Sequence, residues 1–261
     1  QIVFSLDQEN FNIIYIKIDK MKSLYFIFFS LILMSCSQER SYPWLSDLDA
    51  EIEFIESGKN LMGLEYGLHP LEVVTKEETE ILIAVHGMNS NGYEWVYPLK
   101  TLDNQETLTL FFRWDDGNGC PNSSFRMLSR EIAALLEENI SIKKITLMGH
   151  SYGAILVSMF SETWQSDTQL NIHSVAGPLI GSKKLNNLCN YSQPLFINPN
   201  VSFYEWRTQK KLDGAFKDLK IDPQIINLEN SNIVRLPEVY RGKKLGHNWS
   251  ISWVADEINS L

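Results

Sequence analysis

Two rhythms of apolar and polar positions recur along this chain. Residues 81–85 (ILIAV) form an unbroken apolar run closed by His86-Gly87, which suits a strand covered on both faces. Residues 107–114 (TLTLFFRW) and 145–148 (ITLM) repeat that pattern, and 171–176, 201–207 and 232–236 read as three further strands. Between them the period changes. Phe125, Leu128, Ile132, Leu135 and Leu136 fall at helical spacing within 124–139, with Asn122-Ser123-Ser124 offering cap candidates. Residues 152–164 and 248–261 read as two more helices. The stretch before residue 81 has less pattern and is expected to hold irregular edge strands, 71–74 being the clearest. Strands alternating with helices predict an α/β protein with a doubly wound, mostly parallel sheet and helices on both faces.

Residues 177–200 interrupt this order. They are rich in Asn, Pro and Ser and show no clear period, so they are either a small lid or a long loop, too short for a second domain. The whole of 37–261 is therefore expected to be a single domain, its first residues (SQERS) serving as a linker.

The N-terminus follows a different logic. Lys20-Met21-Lys22 precedes an apolar run at 24–34 that is short for a membrane span and matches a secretory signal. The run ends in Leu33-Met34-Ser35-Cys36, which resembles the lipobox of bacterial lipoproteins. That resemblance implies a signal peptide over 21–36, lipidation of Cys36, and an exported protein tethered to the membrane of a bacterial cell envelope. A plain signal, with Cys36 incidental and a secreted or periplasmic product, is the alternative. Residues 1–20 are an over-long start or a dispensable extension and are set aside.

Composition narrows the function. The net charge of −9, from 23 basic and 32 acidic residues, argues against nucleic acid as a partner. There is no HExxH, CxxC, P-loop or GxGxxG, so neither metal nor cofactor is expected. In an exported protein Cys120 and Cys189 have two near-equal readings, a disulfide or a pair of free, buried thiols, and sequence alone does not place them within bonding distance.

The chemistry concentrates at Gly149-His150-Ser151-Tyr152-Gly153. A G-x-S-x-G pattern gains meaning only between a strand and a helix, where the serine sits on a tight turn. Here ITLM precedes it and YGAILVSMF follows. Gly149 and Gly153 let such a turn close, and the helix N-terminus favours developing negative charge. A helix-capping serine between chance glycines is the plainer alternative.

Together with His86-Gly87-Met88 and Gly246-His247-Asn248-Trp249, this motif resembles the α/β-hydrolase superfamily of lipase and esterase type, over residues 70–261. The resemblance implies the chain order Ser, Asp or Glu, His. Ser151 becomes the nucleophile, and His247, in a loop before the last helix, its base. His69, His86, His150 and His173 occupy positions better suited to structural roles. The acid is expected at Asp213, where the family places its carboxylate, with Asp218 and Asp222 as competitors. The oxyanion hole would use the backbone N–H groups of Met88 and Tyr152, although the loop after His86 departs from the HGGG form.

The function implied is hydrolysis of a carboxylic ester through an acyl-enzyme. Tyr93, Trp95 and Tyr97, read as lying in mobile loops, together with the tether suggest a lipid or other apolar ester, and core packing is the equal alternative for these aromatics. The alternatives are a non-catalytic binding or scaffold lipoprotein, or an acyltransferase, thioesterase or peptidase on the same fold.

Overall fold

The computed structural model describes residues 42–75, 77–117 and 120–260. The expected signal peptide, Cys36 and residues 1–20 lie outside the described residues.

Seven strands make the main sheet: β1 (Gly67–Pro70), β2 (Glu80–Val85), β3 (Thr107–Arg113), β4 (Lys144–His150), β5 (Gln169–Val175), β6 (Val201–Arg207) and β7 (Asn232–Arg235). Their order is β1-β3-β2-β4-β5-β6-β7, with only β1 antiparallel to its neighbour. The helices are α1 (Phe54–Met62), α2 (Tyr93–Leu102), α3 (Asn122–Glu138), α4 (Tyr152–Ser158), α5 (Phe160–Thr163), α6 (Lys183–Leu188) and α7 (Ser250–Asn259). A small hairpin, β8 (Val239–Tyr240) with β9 (Lys243–Lys244), stands apart from the sheet.

Period-two alternation sorts the strand side chains into two cores. Ile81, Ile83 and Val85 join Leu108, Leu110 and Phe112 on one face, under Leu128 and Ile132 of α3 and Ile155 and Leu156 of α4. Ala84, Phe111, Met148 and Val175 point the other way, under Leu61 of α1, Trp95 and Leu99 of α2, and Ile251 and Val254 of α7. Both faces are covered, which is why these strands are largely apolar. The architecture is the α/β-hydrolase fold.

Several elements differ from the sequence expectation. Residues 71–74 are not a strand; the edge strand lies four residues earlier, at β1. Leu71 N–H still donates to the Thr109 carbonyl at 2.9 Å, but the N–H of the same Thr109 is taken by the Glu72 carboxylate at 3.0 Å. A side chain thus caps the ladder, and Val73 runs out exposed. Tyr93, Trp95 and Tyr97 sit on α2 rather than in a loop, with Trp95 buried in the core. Pro98 inside α2, and α1 within the weakly patterned stretch, were not anticipated. The expected helix over 152–164 is two pieces meeting at Met159. The cap of α3 is Pro121, with no side-chain hydrogen bond, instead of Asn122 or its neighbours.

Residues 177–200 pack into the protein. Leu179, Leu185, Cys189 and Tyr191 are buried in the first core, and the Tyr191 hydroxyl donates to the Leu179 carbonyl at 2.8 Å. Cys120 and Cys189 are joined in a disulfide.

Candidate active site

The serine turn begins where β4 ends. Ser151 adopts φ 53°, ψ −116°, a conformation that an L-residue holds only when its surroundings impose it. The imposing contacts are in place: Ser151 N–H donates to Val175 O at 2.9 Å, and its carbonyl accepts from Ala154 N–H at 3.0 Å. The flanking glycines are needed for closeness. A Cβ on Gly153 would lie 2.3 Å from Val85 O and 2.5 Å from His86 O, and one on Gly149 2.5 Å from Gly153 O. The turn is wedged between the ends of β2 and β4, and Ser151 stands half-buried at the carboxyl edge of the sheet, where open α/β sheets bind ligands.

His247 comes from the segment between β9 and α7. Its Nδ1–H donates to Asp213 Oδ2 at 2.8 Å. Asp213 is fully buried, and burying a carboxylate is costly unless its oxygens are satisfied. They are: Oδ2 also accepts the Thr208 hydroxyl at 2.5 Å, and Oδ1 accepts Ala215 N–H at 2.8 Å. Phe216 packs edge-on against the imidazole, 5.0 Å between ring centres. The competing acids lie elsewhere. Asp218 is exposed, and Asp222 pairs with Arg235 at 3.0 Å. Thr208 and the Ala215 amide carry no sequence signal of their own; only the fold brings them to Asp213.

His150 ties the serine turn to the histidine loop. Its ring lies 4.7 Å from that of His247, and its Nε2–H donates to the His247 carbonyl at 3.2 Å. Ser250 Oγ donates to the same carbonyl at 2.5 Å. Burial, and next the charge of His247, hold His150 well below the usual histidine range, so it is neutral. The Ser151 hydroxyl itself makes no hydrogen bond among the described residues.

His86 fixes the other side of the site. Its Nδ1–H donates to Gly87 O at 2.9 Å, leaving Nε2 to accept from Arg113 at 3.2 Å and Trp114 N–H at 3.3 Å. Burial lowers its pKa to about 4, and the neutral ring joins the ends of β2 and β3. The next turn holds Met88, half exposed, whose N–H has no acceptor among the described residues. Asn89 follows in the left-handed region, its N–H bound by Asp116. Ser90 then donates to buried Glu94 and accepts Gly92 N–H, which fixes the rest of the loop. Tyr152 opens α4, its ring buried against Trp114 at 5.2 Å and its phenol pushed up to about 12 by burial.

Among the described residues no group of three or more His, Cys, Asp or Glu side chains is arranged to hold a metal ion. No protein-family model matches the sequence, and no curated protein does so. Among solved structures, similar chains are found at low identity. An α/β serine hydrolase without lid from Xanthomonas campestris is similar at 13% identity and TM-score 0.48, over 74% of this chain and 85% of that one. A lipase-esterase related protein from Clostridium acetobutylicum is similar at 16% identity and TM-score 0.46, over 74% of this chain and 98% of that one. An esterase from Pyrococcus furiosus is similar at 13% identity and TM-score 0.45, over 71% and 81% of the two chains.

Proposed function

We propose that the protein is a serine hydrolase acting on carboxylic esters, with Ser151 as nucleophile, His247 as base and Asp213 as its orienting acid. The observation that carries this reading is the 2.8 Å contact from His247 Nδ1 to a fully buried, fully hydrogen-bonded Asp213, beside a serine on a strained strand-to-helix turn. An acid at Nδ1 holds the imidazole in the tautomer whose Nε2 is free to take a proton. Ser151 Oγ attacks the ester carbonyl while its proton passes to His247 Nε2. The tetrahedral oxyanion is met by the N–H groups of Met88 and Tyr152. The alkoxide leaves with the proton from His247, and water, activated the same way, releases the acid. The missing Ser151–His247 hydrogen bond is compatible with this, because such contacts commonly tighten only with substrate in place.

The test is labelling of the purified protein by a fluorophosphonate. Wild type is expected to label, and Ser151→Ala and His247→Ala are not. A folded wild type that stays unlabelled would favour a binding protein on a hydrolase fold. We also propose that the protein lies outside the cytosol, tethered through Cys36. The disulfide supports an oxidising compartment, and palmitate incorporation lost in Cys36→Ala is the check.

A further inference from the structure

The segment that carries His247 continues through Asn248 and Trp249 into the lining of a cleft of about 590 Å3, to which none of the acyl-transfer groups contributes. Its size is that of small-molecule sites. Phe54 and Tyr93, edge to face at 6.2 Å, form part of one wall with Tyr97, and Trp249 lines it too. Asn248, the chain neighbour of His247, joins the lining and donates to the Tyr93 hydroxyl at 3.2 Å. The β8–β9 hairpin adds Arg241 and Lys243. Arg241 stacks over Tyr97 at 4.7 Å and pairs with Asp256 at 3.1 Å. The Lys243 ammonium sits 5.3 Å from the Trp249 ring centre and has no carboxylate partner among the described residues. In a chain of net charge −9, an unpaired cation over an aromatic cleft runs against the overall field. Two acids share the lining. Glu51 is exposed, and Glu94 is buried and already accepts from Ser90.

Position gives the cleft a role. In acyl transfer the group lying against the base is the leaving alcohol, since it takes the base's proton. We infer that this cleft receives the leaving alcohol, and that the alcohol has an apolar or aromatic body ending in a carboxylate or phosphate that meets Lys243 and Arg241. The inference rests on the serine-hydrolase reading and adds its substrate class. In the step concerned, the bond from Ser151 Oγ to the acyl carbon forms and the bond to the alkoxy oxygen breaks. The alkoxide takes the proton held on His247 Nε2 and departs as the anionic alcohol.

The experiment compares two butyrate esters that differ only in charge, those of 4-(hydroxymethyl)benzoate and 4-(hydroxymethyl)benzamide. Wild type is expected to prefer the carboxylate roughly three- to tenfold in kcat/KM, mainly through KM, with the preference shrinking in high salt. Lys243→Glu is expected to invert it. Equal rates in a wild type that labels with fluorophosphonate, or a preference unchanged in Lys243→Glu, would overturn the charge assignment while leaving the hydrolase reading intact. An unlabelled, unreactive wild type removes the hydrolase reading, and the alcohol assignment with it. Calorimetry on Ser151→Ala with 4-(hydroxymethyl)benzoate, the benzamide and 4-(hydroxymethyl)phenyl phosphate reads the cleft without turnover. It also separates carboxylate from phosphate, and equal affinity for anion and amide there counts against the proposal.

Discussion

The turn that carries Ser151 and the hairpin that carries Lys243 both border the His247 segment, yet they are held by opposite means. The turn is fixed by backbone on backbone, with glycines at 149 and 153 because nothing larger fits. The hairpin is two residues per strand, exposed except for half-buried Tyr240, and steadied by cations lying over aromatic rings. Contacts of the first kind have no slack, since interiors are packed as tightly as crystals. Contacts of the second kind are individually weak and adaptable. The half of the site that would break bonds is therefore rigid, and the half that would choose the substrate is free to change.

The sharpest way to break this contrast is Gly153→Ala. The added methyl would sit 2.3 Å from Val85 O, against two strand ends that cannot yield. Thermal unfolding is expected to show a loss above about 4 kcal/mol, or no folded protein; a wild-type transition would mean the turn has slack. Asp213→Asn comes next. It should keep the fold but lower kcat about 10³–10⁴-fold, because an amide no longer enforces the His247 tautomer. A small effect in an ester assay would show that the rigid half does not perform the chemistry.

Acid should loosen the rigid half. Burial lowers His86 to about 4 and His173 to about 3, both below the ordinary histidine value. Between those values and about pH 6.5 the unfolded chain binds more protons than the native one, so stability falls as pH falls through that window. Each histidine contributes up to about 1.4 kcal/mol per pH unit. Urea midpoints measured from pH 7 to pH 4 check this; midpoints that hold steady would contradict the neutral, buried assignment. The smallest effect is expected at the hairpin. Gly242→Ala meets nothing within 4 Å but must adopt φ 73°, at a cost of about 1 kcal/mol. A larger loss in Tm would make the hairpin as constrained as the turn.

How far the chain could be read follows the same division. Strands β2 to β4 are legible because burial on both faces calls for mostly apolar residues, whereas β5 and β6 also bury His173, Ser174, Glu205 and Arg207. The serine turn is legible because steric closeness demands glycine at two set positions. Helix α2 is obscured by Pro98 and by its divided faces, Trp95 turned to the core and Tyr97 to the cleft. The choice among Asp213, Asp218 and Asp222 depends on which one the fold buries beside His247, and local sequence treats all three as turn residues. The hairpin (VYRGKK) offers only Val239 and Tyr240 as apolar positions, too short a run to show a period. Its cations lie over Tyr97, Tyr240 and Trp249, and of these Tyr97 is brought in from far along the chain by folding.

The Cys120–Cys189 disulfide closes a loop of chain that contains Ser151, while Asp213 and His247 lie beyond it. Nucleophile and base are thus connected by two covalent routes, along the backbone and across the sulfur bridge. A protease nick between Ser151 and Cys189 would sever the first route and leave the second. The two fragments would run as one band until thiol was added, and until then each would hold the other at high effective concentration.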